Sequence, residues 1–233
     1  MTEKKPNYKT EQGRKLFRIN VMFAAANLFL EKGYTQTPIR EISERAEVNI
    51  SSLNQHFGTK ENILCELVEY VLEGQFTATT NLLKDKTDDK ILFYAAETTL
   101  QLYMAESSEH IRDLYAAAYS MPKSSAIIQQ MITDKLKVIF GEVLPDLDTK
   151  DFYKLEIASG GIMRGFMTIP CNMWFTIEQK VASFLETAFR VFCVPNEKTQ
   201  EAIEFVSTFG FAQIARQTID DMLTKLNRME AKL

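Results

Sequence analysis

Residues 23–63 place helix-ending and helix-capping residues at short intervals between apolar, helically periodic segments. Gly33 is suited to end one helix in a left-handed cap, and Thr37 offers a hydroxyl to cap the next. Asn49 can cap a third helix, and Gly58 can end it. This spacing constrains the segment to fold as short helices joined by tight turns.

The rest of the chain repeats apolar residues every three or four positions, and clear period-two alternation is hard to find. We therefore predict an all-α protein. The predicted helices cover residues 12–32, 38–46, 50–57, 60–81, 88–105, 108–120, 123–141, 149–169, 176–193 and 197–230. From Glu197 to about Arg228, the last would be about 47 Å long if it were a single helix.

Charge is distributed unevenly along the chain. The formal net charge is −4, but residues 1–60 hold ten Lys/Arg and six Asp/Glu, whereas the remainder holds 17 and 25. A basic N-terminal region on an acidic body is typical of a protein with one surface for nucleic acid and another for a different partner. Residues 1–11 are expected to form a frayed, basic arm.

Several protein classes are disfavoured by simple features. The three cysteines are far apart and lack CxxC spacing, so we expect buried free thiols in a reducing compartment. The polar start MTEKKPNYK has no apolar signal segment, and no run of 18 apolar residues could span a membrane. We therefore expect a cytoplasmic protein without a membrane partner.

The third short helix has two contrasting sides. Val48, Leu53 and Phe57 can pack on the preceding helix. Asn and Gln side chains can bond adenine edges bidentately, Ser can bond several bases, and an apolar side chain can touch a thymine methyl. The residues left exposed for such contacts to DNA are Ile50, Ser51, Ser52, Asn54, Gln55 and His56.

Three further residues are candidates for binding the phosphate backbone. Thr37 and Lys60 lie at predicted helix N-termini, where amides together with a hydroxyl or ammonium suit phosphate oxygens. Arg40, one turn into the second helix, is placed for the same role. The alternative is that Thr37 is a simple cap and Lys60 a solvated charge.

The same region resembles the TetR-type transcriptional regulators over about residues 15–70. The resemblance is carried by Ala25-x3-Phe29-x3-Gly33-Tyr34, by Thr37-Pro38-Ile39-Arg40-Glu41-Ile42, and by Ala46-Glu47-Val48 with His56-Phe57-x-x-Lys60-Glu61. Three positions depart from the family pattern. Glu47 replaces a turn glycine, at a cost of roughly 1–2 kcal/mol if that residue is left-handed. Ser51 often corresponds to glycine, and Asn54 to a tyrosine that touches the phosphate backbone.

The resemblance implies two domains: a three-helix helix-turn-helix DNA-binding domain at 12–72 and a helical ligand-binding and dimerisation domain at 73–233. It implies a homodimer that binds an inverted-repeat, double-stranded operator and responds to a small effector. Regulation by repression is expected from the family alone.

The larger half contains aromatic and Met side chains that could line an adaptable apolar pocket, although such stripes also form ordinary core. The candidate pocket residues are Tyr94, Tyr103, Tyr115, Tyr119, Met163, Phe166 and Trp174.

Two later helices have features suited to pairing between subunits, with internal core as the alternative for each. The first has an apolar face with the small residues Ser159, Gly161 and Gly165 nearby, and the second has a wide apolar stripe. The apolar residues are Leu155, Ile162, Phe166 and Ile169 on the first helix and Val181, Phe184, Leu185, Ala188 and Phe192 on the second.

Two other functions were weighed against a regulator. An enzyme is disfavoured because the only imidazoles are His56 and His110, and because GxSxG, HExxH, P-loop and GxGxxG motifs are absent. No cofactor or metal is indicated. A helical ligand-binding or scaffold protein with a degenerate DNA-binding head remains the alternative, because Glu47, Ser51 and Asn54 depart from the family pattern.

Overall fold

A computed structural model describes residues 10–231, with side chains described up to Met229. The expected arm therefore lies almost wholly outside the described residues. Within them the chain is all-α, as predicted, with an isolated bridge between Asn172 and Phe175. The helices are α1 (Glu11–Lys32), α2 (Ile39–Arg45), α3 (Ile50–His56), α4 (Lys60–Leu83), α5 (Lys90–Glu106), α6 (Glu109–Ser120), α7 (Pro122–Phe140), α8 (Thr149–Thr168), α9 (Ile177–Val191), α10 (Asn196–Ser207) and α11 (Phe211–Ala231).

The prediction of one helix over residues 197–230 is wrong, because the chain breaks between α10 and α11. The Thr208 hydroxyl donates a hydrogen bond of 2.7 Å to the Phe205 carbonyl, and the Phe209 amide donates to the Val206 carbonyl at 3.2 Å. These contacts close a tight final turn. The break lets α10 pack on α5 and α9 while α11 turns to pack on α1, α4 and α5.

Two apolar clusters organise the molecule. The first lies mainly in the head (residues 10–59) and the first half of α4, and it also includes Ala118, Ile128 and Leu226 of the body (residues 84–231). The second lies in the body and includes Leu83 at the end of α4. Fully buried members of the first cluster are Phe17, Val21, Phe29, Ile42 and Leu53. The uninterrupted helix α4 runs from one cluster to the other, so the predicted boundary at residues 72/73 falls inside it.

The apolar stripe predicted for the second pairing helix belongs to the chain's own core. Val181, Phe184, Leu185, Ala188 and Phe192 are all buried inside the body. The prediction that these side chains pair between subunits is therefore wrong. On α8, Leu155, Ile162 and Phe166 also pack partly against the body core, whereas Ile169 is exposed.

The cysteine expectation holds only for Cys65, which is buried; Cys171 is half-buried and Cys193 is exposed. Among residues 10–231, no helix is both long enough and apolar enough to cross a lipid bilayer.

Candidate nucleic-acid interface

Helices α2 and α3 form a compact pair joined by a strained turn. Ile42 and Leu53 are fully buried between them and α1. Glu47 has φ +52°, so the position where the family carries glycine is left-handed, and a non-glycine residue there costs roughly 1–2 kcal/mol. The Val48 amide donates to the Ser43 carbonyl at 3.0 Å, which closes the turn.

Helix α3 begins and ends where the sequence predicts. The Asn49 side chain accepts a 2.7 Å hydrogen bond from the Ser51 amide, and Gly58 ends the segment with φ +76°. Thr59 caps α4 by accepting from the Asn62 amide at 3.3 Å. These local bonds fix the orientation of α3 because they satisfy groups that a helix end leaves free.

The outer surface of α3 is polar and open. Ser51, Asn54 and Gln55 are exposed, and Ile50 stands beside them with 36% of its surface accessible. The Asn54 and Gln55 amides make no hydrogen bond with any described residue. The structure thus brings these four predicted residues together on one surface with their polar groups free.

Ser52 and His56 lie at the margin of this surface. Both are half-buried, and the His56 ring contacts the Phe17 ring with centroids 4.6 Å apart. His56 Nδ1 is 2.8 Å from the Ser52 carbonyl oxygen. His56 therefore helps to hold α3 against α1, a contribution that the sequence did not indicate.

Thr37 is not at a surface, so its predicted roles as helix cap and phosphate ligand are wrong. It is fully buried, and its hydroxyl donates a 2.7 Å hydrogen bond to the Gly33 carbonyl. Its amide donates to the Tyr34 carbonyl at 3.2 Å. Pro38 takes the N-cap position of α2 without a side-chain cap.

Lys60 binds backbone carbonyls of its own chain. The sequence had suggested either a phosphate ligand or a solvated charge. The Lys60 ammonium donates to the carbonyls of Tyr34 at 2.7 Å and Thr37 at 2.8 Å, and it lies 4.1 Å from the centre of the Tyr34 ring. Burial lowers its pKa. A cation in the first turn of a helix is disfavoured by the helix dipole, which was a sequence signal that this lysine has other partners. Its contact with phosphate remains a prediction.

Arg40 is exposed on α2, where it pairs with Glu44 at 2.9 Å. This position is compatible with its predicted phosphate contact, because a surface ion pair contributes little and can be exchanged.

Gly33 ends α1 with φ +82° and ψ 163°, which is an extended, glycine-favouring conformation and not the predicted left-handed cap. The loop that follows Gly33 is held by a residue that sequence reasoning missed. Asp113 on α6 accepts 2.7 Å hydrogen bonds from the Thr35 amide and the Thr35 hydroxyl. A Cβ at Gly33 would meet an Asp113 oxygen at 2.8 Å. Because Asp113 lies far along the chain, no local pattern could have revealed this joint between head and body.

A second joint lies next to the first. The Lys123 amide donates to Glu61 at 2.7 Å, and the Lys123 ammonium donates to the Asn62 side chain at 2.9 Å. The start of α7 is therefore tied to the first turn of α4, close to α3.

Two cavities lie between the helices beyond these contacts. The first, of about 100 Å³, is lined mainly by α4, α6 and α11 and includes Tyr115 and Tyr119. The second, of about 30 Å³, is lined by α5, α6, α7 and α8 and includes Tyr94, Tyr119 and Met163. Four of the predicted pocket residues thus line a cavity.

The other three predicted pocket residues are placed elsewhere. Tyr103 stacks on Phe211, and Phe166 packs against Phe175 and Phe184. Trp174 is 81% exposed, because a tight turn between α8 and α9 carries it out of the core. For these three the pocket prediction is wrong.

Sequence reasoning also missed the polar residues at the cavities, which include Gln75, Glu97, Gln101 and Glu156. Acidic residues on the apolar faces of predicted helices were the available signal.

The family comparison agrees with this architecture. The sequence model described as "Bacterial regulatory proteins, tetR family" matches residues 22–67. An HTH-type transcriptional repressor of Mycobacterium tuberculosis is 36% identical over 84 residues, which cover 36% of this chain and 43% of that protein. The matched region therefore spans less than half the length of that relative.

Other relatives extend the comparison. The probable HTH-type transcriptional regulator YttP of Bacillus subtilis is 23% identical over 154 residues, covering 64% of this chain and 67% of its own. The solved structure of RolR in complex with resorcinol has a TM-score of 0.64 at 18% identity, covering 85% of this chain and 96% of RolR. That likeness shows a shared fold. The match over residues 22–67 agrees with the helix-turn-helix geometry of the head, so this region is similar to the DNA-binding part of the tetR family of bacterial regulatory proteins.

Proposed function

We propose that the protein is a ligand-responsive repressor that binds an inverted-repeat DNA operator as a homodimer. The observation that carries the proposal is the free polar surface of α3, held on a fully buried Leu53. Asn54 and Gln55 have the amide chemistry that bonds adenine in the major groove, and Ile50 can touch a thymine methyl. The domain limits 12–72 and 73–233 and a cytoplasmic location are part of the same proposal.

Pairing of two subunits is supported by an unusual stripe on α8. Tyr153, Ile157, Gly161, Gly165 and Ile169 follow one another at intervals of four, and the three larger side chains are between 43% and 55% exposed. A Cβ at either glycine would meet nothing within 4 Å, so another helix could approach the backbone closely. Two copies joined through α8 would present two α3 helices to one duplex, as an inverted repeat requires.

Response to an effector is supported by the course of α6. Tyr115 and Tyr119 line the cavities, and Asp113 on the same helix holds Thr35 in the head. A ligand that changes the packing of α6 would act on the DNA-binding geometry only through a difference in its affinity for two conformations. RolR was solved with resorcinol bound, and relatives are named repressors, which supports both the effector and the sign of regulation.

The test is a gel-shift titration with DNA from upstream of the protein's own coding sequence. We expect sequence-selective retardation that weakens steeply with salt. Asn54→Ala and Gln55→Ala should reduce discrimination at one or two base pairs by roughly 1–3 kcal/mol, because each removes a bidentate contact.

Gln200→Ala is the matched control, because Gln200 is an exposed helical glutamine in the body. It should leave binding unchanged. Equal retardation of all sequences, or none, would contradict the proposal and favour the scaffold alternative. Analytical ultracentrifugation of Gly161→Leu, expected to dissociate the dimer, checks the α8 contact separately.

A further inference from the structure

The two cavities adjoin one another and differ in chemistry. Gln101 and Tyr119 line both, and the Gln101 side chain donates a 3.0 Å hydrogen bond to the Tyr119 hydroxyl between them. The larger cavity has mostly aliphatic walls, including Leu67, Val68 and Ile128. The smaller cavity has acidic groups in its wall. A small movement of the Gln101–Tyr119 pair would join them into one site with an apolar lobe and an acidic lobe.

We propose that this site binds a small organic cation: a protonated amine whose nitrogen enters the acidic lobe while a ring-sized apolar body fills the larger lobe. The inference rests on the proposed function, since it names the class of the effector.

The first support is a buried acceptor that has no donor. Glu97 is only 6% exposed, it lines the acidic lobe, and its Oε1 has no hydrogen-bond partner among the described residues. In the apolar lobe, Gln75 Oε1 is likewise without a partner there, although the Gln75 amide nitrogen donates to the Tyr115 hydroxyl. Unpaired buried acceptors are costly and call for a donor, which an ammonium group supplies.

The second support is the charge balance of the acidic lobe. Glu156 is 3% exposed, accepts a 3.1 Å hydrogen bond from Ser159, and is close enough to Glu97 for their charges to interact. The only basic residue in the described wall is Lys135, whose ammonium lies 3.8 Å from the centre of the Phe76 ring and within 4 Å of neither carboxylate. One added positive charge would therefore balance two carboxylates and one lysine.

The protonation of these acids fits an empty site. Burial raises the pKa of Glu97 to about 7 and that of Glu156 to about 8. Without a cation the protonated form of each carboxyl is the more stable one, because burial disfavours the charge. A bound ammonium would favour the ionised form. An anionic ligand would meet two acids and is disfavoured by the same charges.

The walls and the size define the rest of the ligand. Phe76, Phe93, Tyr94 and Tyr119 present aromatic rings to the acidic lobe, and ring faces attract organic cations. The apolar lobe of about 100 Å³ approaches the roughly 150 Å³ of an engineered cavity that holds benzene. A single-ring arylalkylamine matches these dimensions after small side-chain shifts.

Isothermal titration calorimetry of the full chain without DNA tests the proposal with three probes of one shape: 2-phenylethylamine, 2-phenylethanol and phenylacetate. We expect the amine to bind at least about tenfold more tightly than the alcohol, and phenylacetate to bind most weakly. Equal affinity for amine and alcohol, or preference for the acid, would overturn the proposal. This order is measured on the natural sequence and does not depend on any variant folding.

Glu97→Gln and Glu156→Gln extend the test, with the exposed Glu186→Gln on α9 as control. Each buried variant should lose about tenfold in amine affinity and little in alcohol affinity, whereas the control should lose neither. Unchanged amine binding by the double variant would refute the site. Amine binding without any sequence-selective gel shift would support this site and contradict the proposed repressor function. A selective gel shift without preference for the amine would support the repressor function and contradict this site.

Discussion

The head and the body are both helical, but they differ in how completely their buried polar groups are hydrogen-bonded. In the head, the Asn49 and Thr59 caps are satisfied and Leu53 is fully buried. Thr37 of the head and Lys60 at the start of α4 both donate hydrogen bonds to backbone carbonyls. In the body, polar groups remain unpaired next to cavities. Of the buried side-chain polar atoms without a partner in the described part of the chain, only that of Asn20 belongs to the head.

This difference shows where the molecule can change shape. A segment whose buried polar groups are hydrogen-bonded has a single low-energy conformation. Such rigidity suits a surface that is proposed to match base edges. Unpaired groups and voids destabilise the observed packing relative to alternative packings, so the body is where the proposed effector would have the largest structural effect. The contrast predicts different responses to pH, to cutting the joint, and to relieving strain in the head.

The largest expected effect comes from the buried acids of the body. Burial raises the pKa of Glu97 to about 7 and of Glu156 to about 8, above the usual 4.5. The folded state therefore holds protons that the unfolded state releases, and stability present at low pH is lost as pH rises through these values. Each acid should cost on the order of 1.4 kcal/mol per pH unit between its unfolded and folded pKa.

Urea unfolding between pH 5 and 8.5 would measure this loss, with the range set by those pKa values. The double variant Glu97→Gln, Glu156→Gln should flatten the curve, and the surface variant Glu186→Gln should not. A natural chain whose free energy of unfolding rises over this range would show that the acids of the body are well partnered after all.

An intermediate effect is expected at the joint between the two regions. Asp113→Ala removes both hydrogen bonds to Thr35 and should lower the free energy of unfolding by about 1–3 kcal/mol. Amide hydrogen exchange of residues 34–37 should accelerate because the loop loses its anchor on α6. Glu109→Ala, an exposed acid on the same helix, provides the comparison. If both variants exchange alike, the head keeps its shape without the body.

The smallest effect concerns the one strained turn of the head. Glu47→Gly should stabilise the protein by up to about 1 kcal/mol, because glycine adopts φ +52° freely but also gains entropy when unfolded. Glu44→Gly, three residues earlier in α2, should destabilise by about the same amount. Thermal unfolding distinguishes the two signs, and a loss of stability in Glu47→Gly would show that the Glu47 side chain has a compensating role.

Roles that depend on neighbours close in the sequence could be predicted, whereas roles that depend on distant residues could not. Asn49 and Gly58 act on neighbours a few residues away, so their roles could be identified from spacing alone. Lys60 and Asp113 bind groups that only folding brings near, so their partners cannot be identified from neighbouring positions in the sequence. The helix periodicity in 197–230 was correct on both sides of Gly210, but the turn there is fixed by packing against different helices.

The same limit explains the mixed outcome for the pocket. Tyr119 and Trp174 are both large aromatic residues in apolar surroundings of the sequence, yet one lines both cavities and the other is almost fully exposed. Side-chain type predicts the ability to line a pocket, whereas the position of the pocket depends on how α4, α6 and α8 cross.

The continuity of α4 has a mechanical consequence. Its 24 residues form a rod about 36 Å long, with one end capped beside the reading helix and the other beyond the cavities. Pivoting such a rod by about five degrees at its far end would carry the near end through about 3 Å, close to the rise between successive base pairs. Small adjustments deep in the protein would thereby be magnified at α3, the helix proposed to bind DNA.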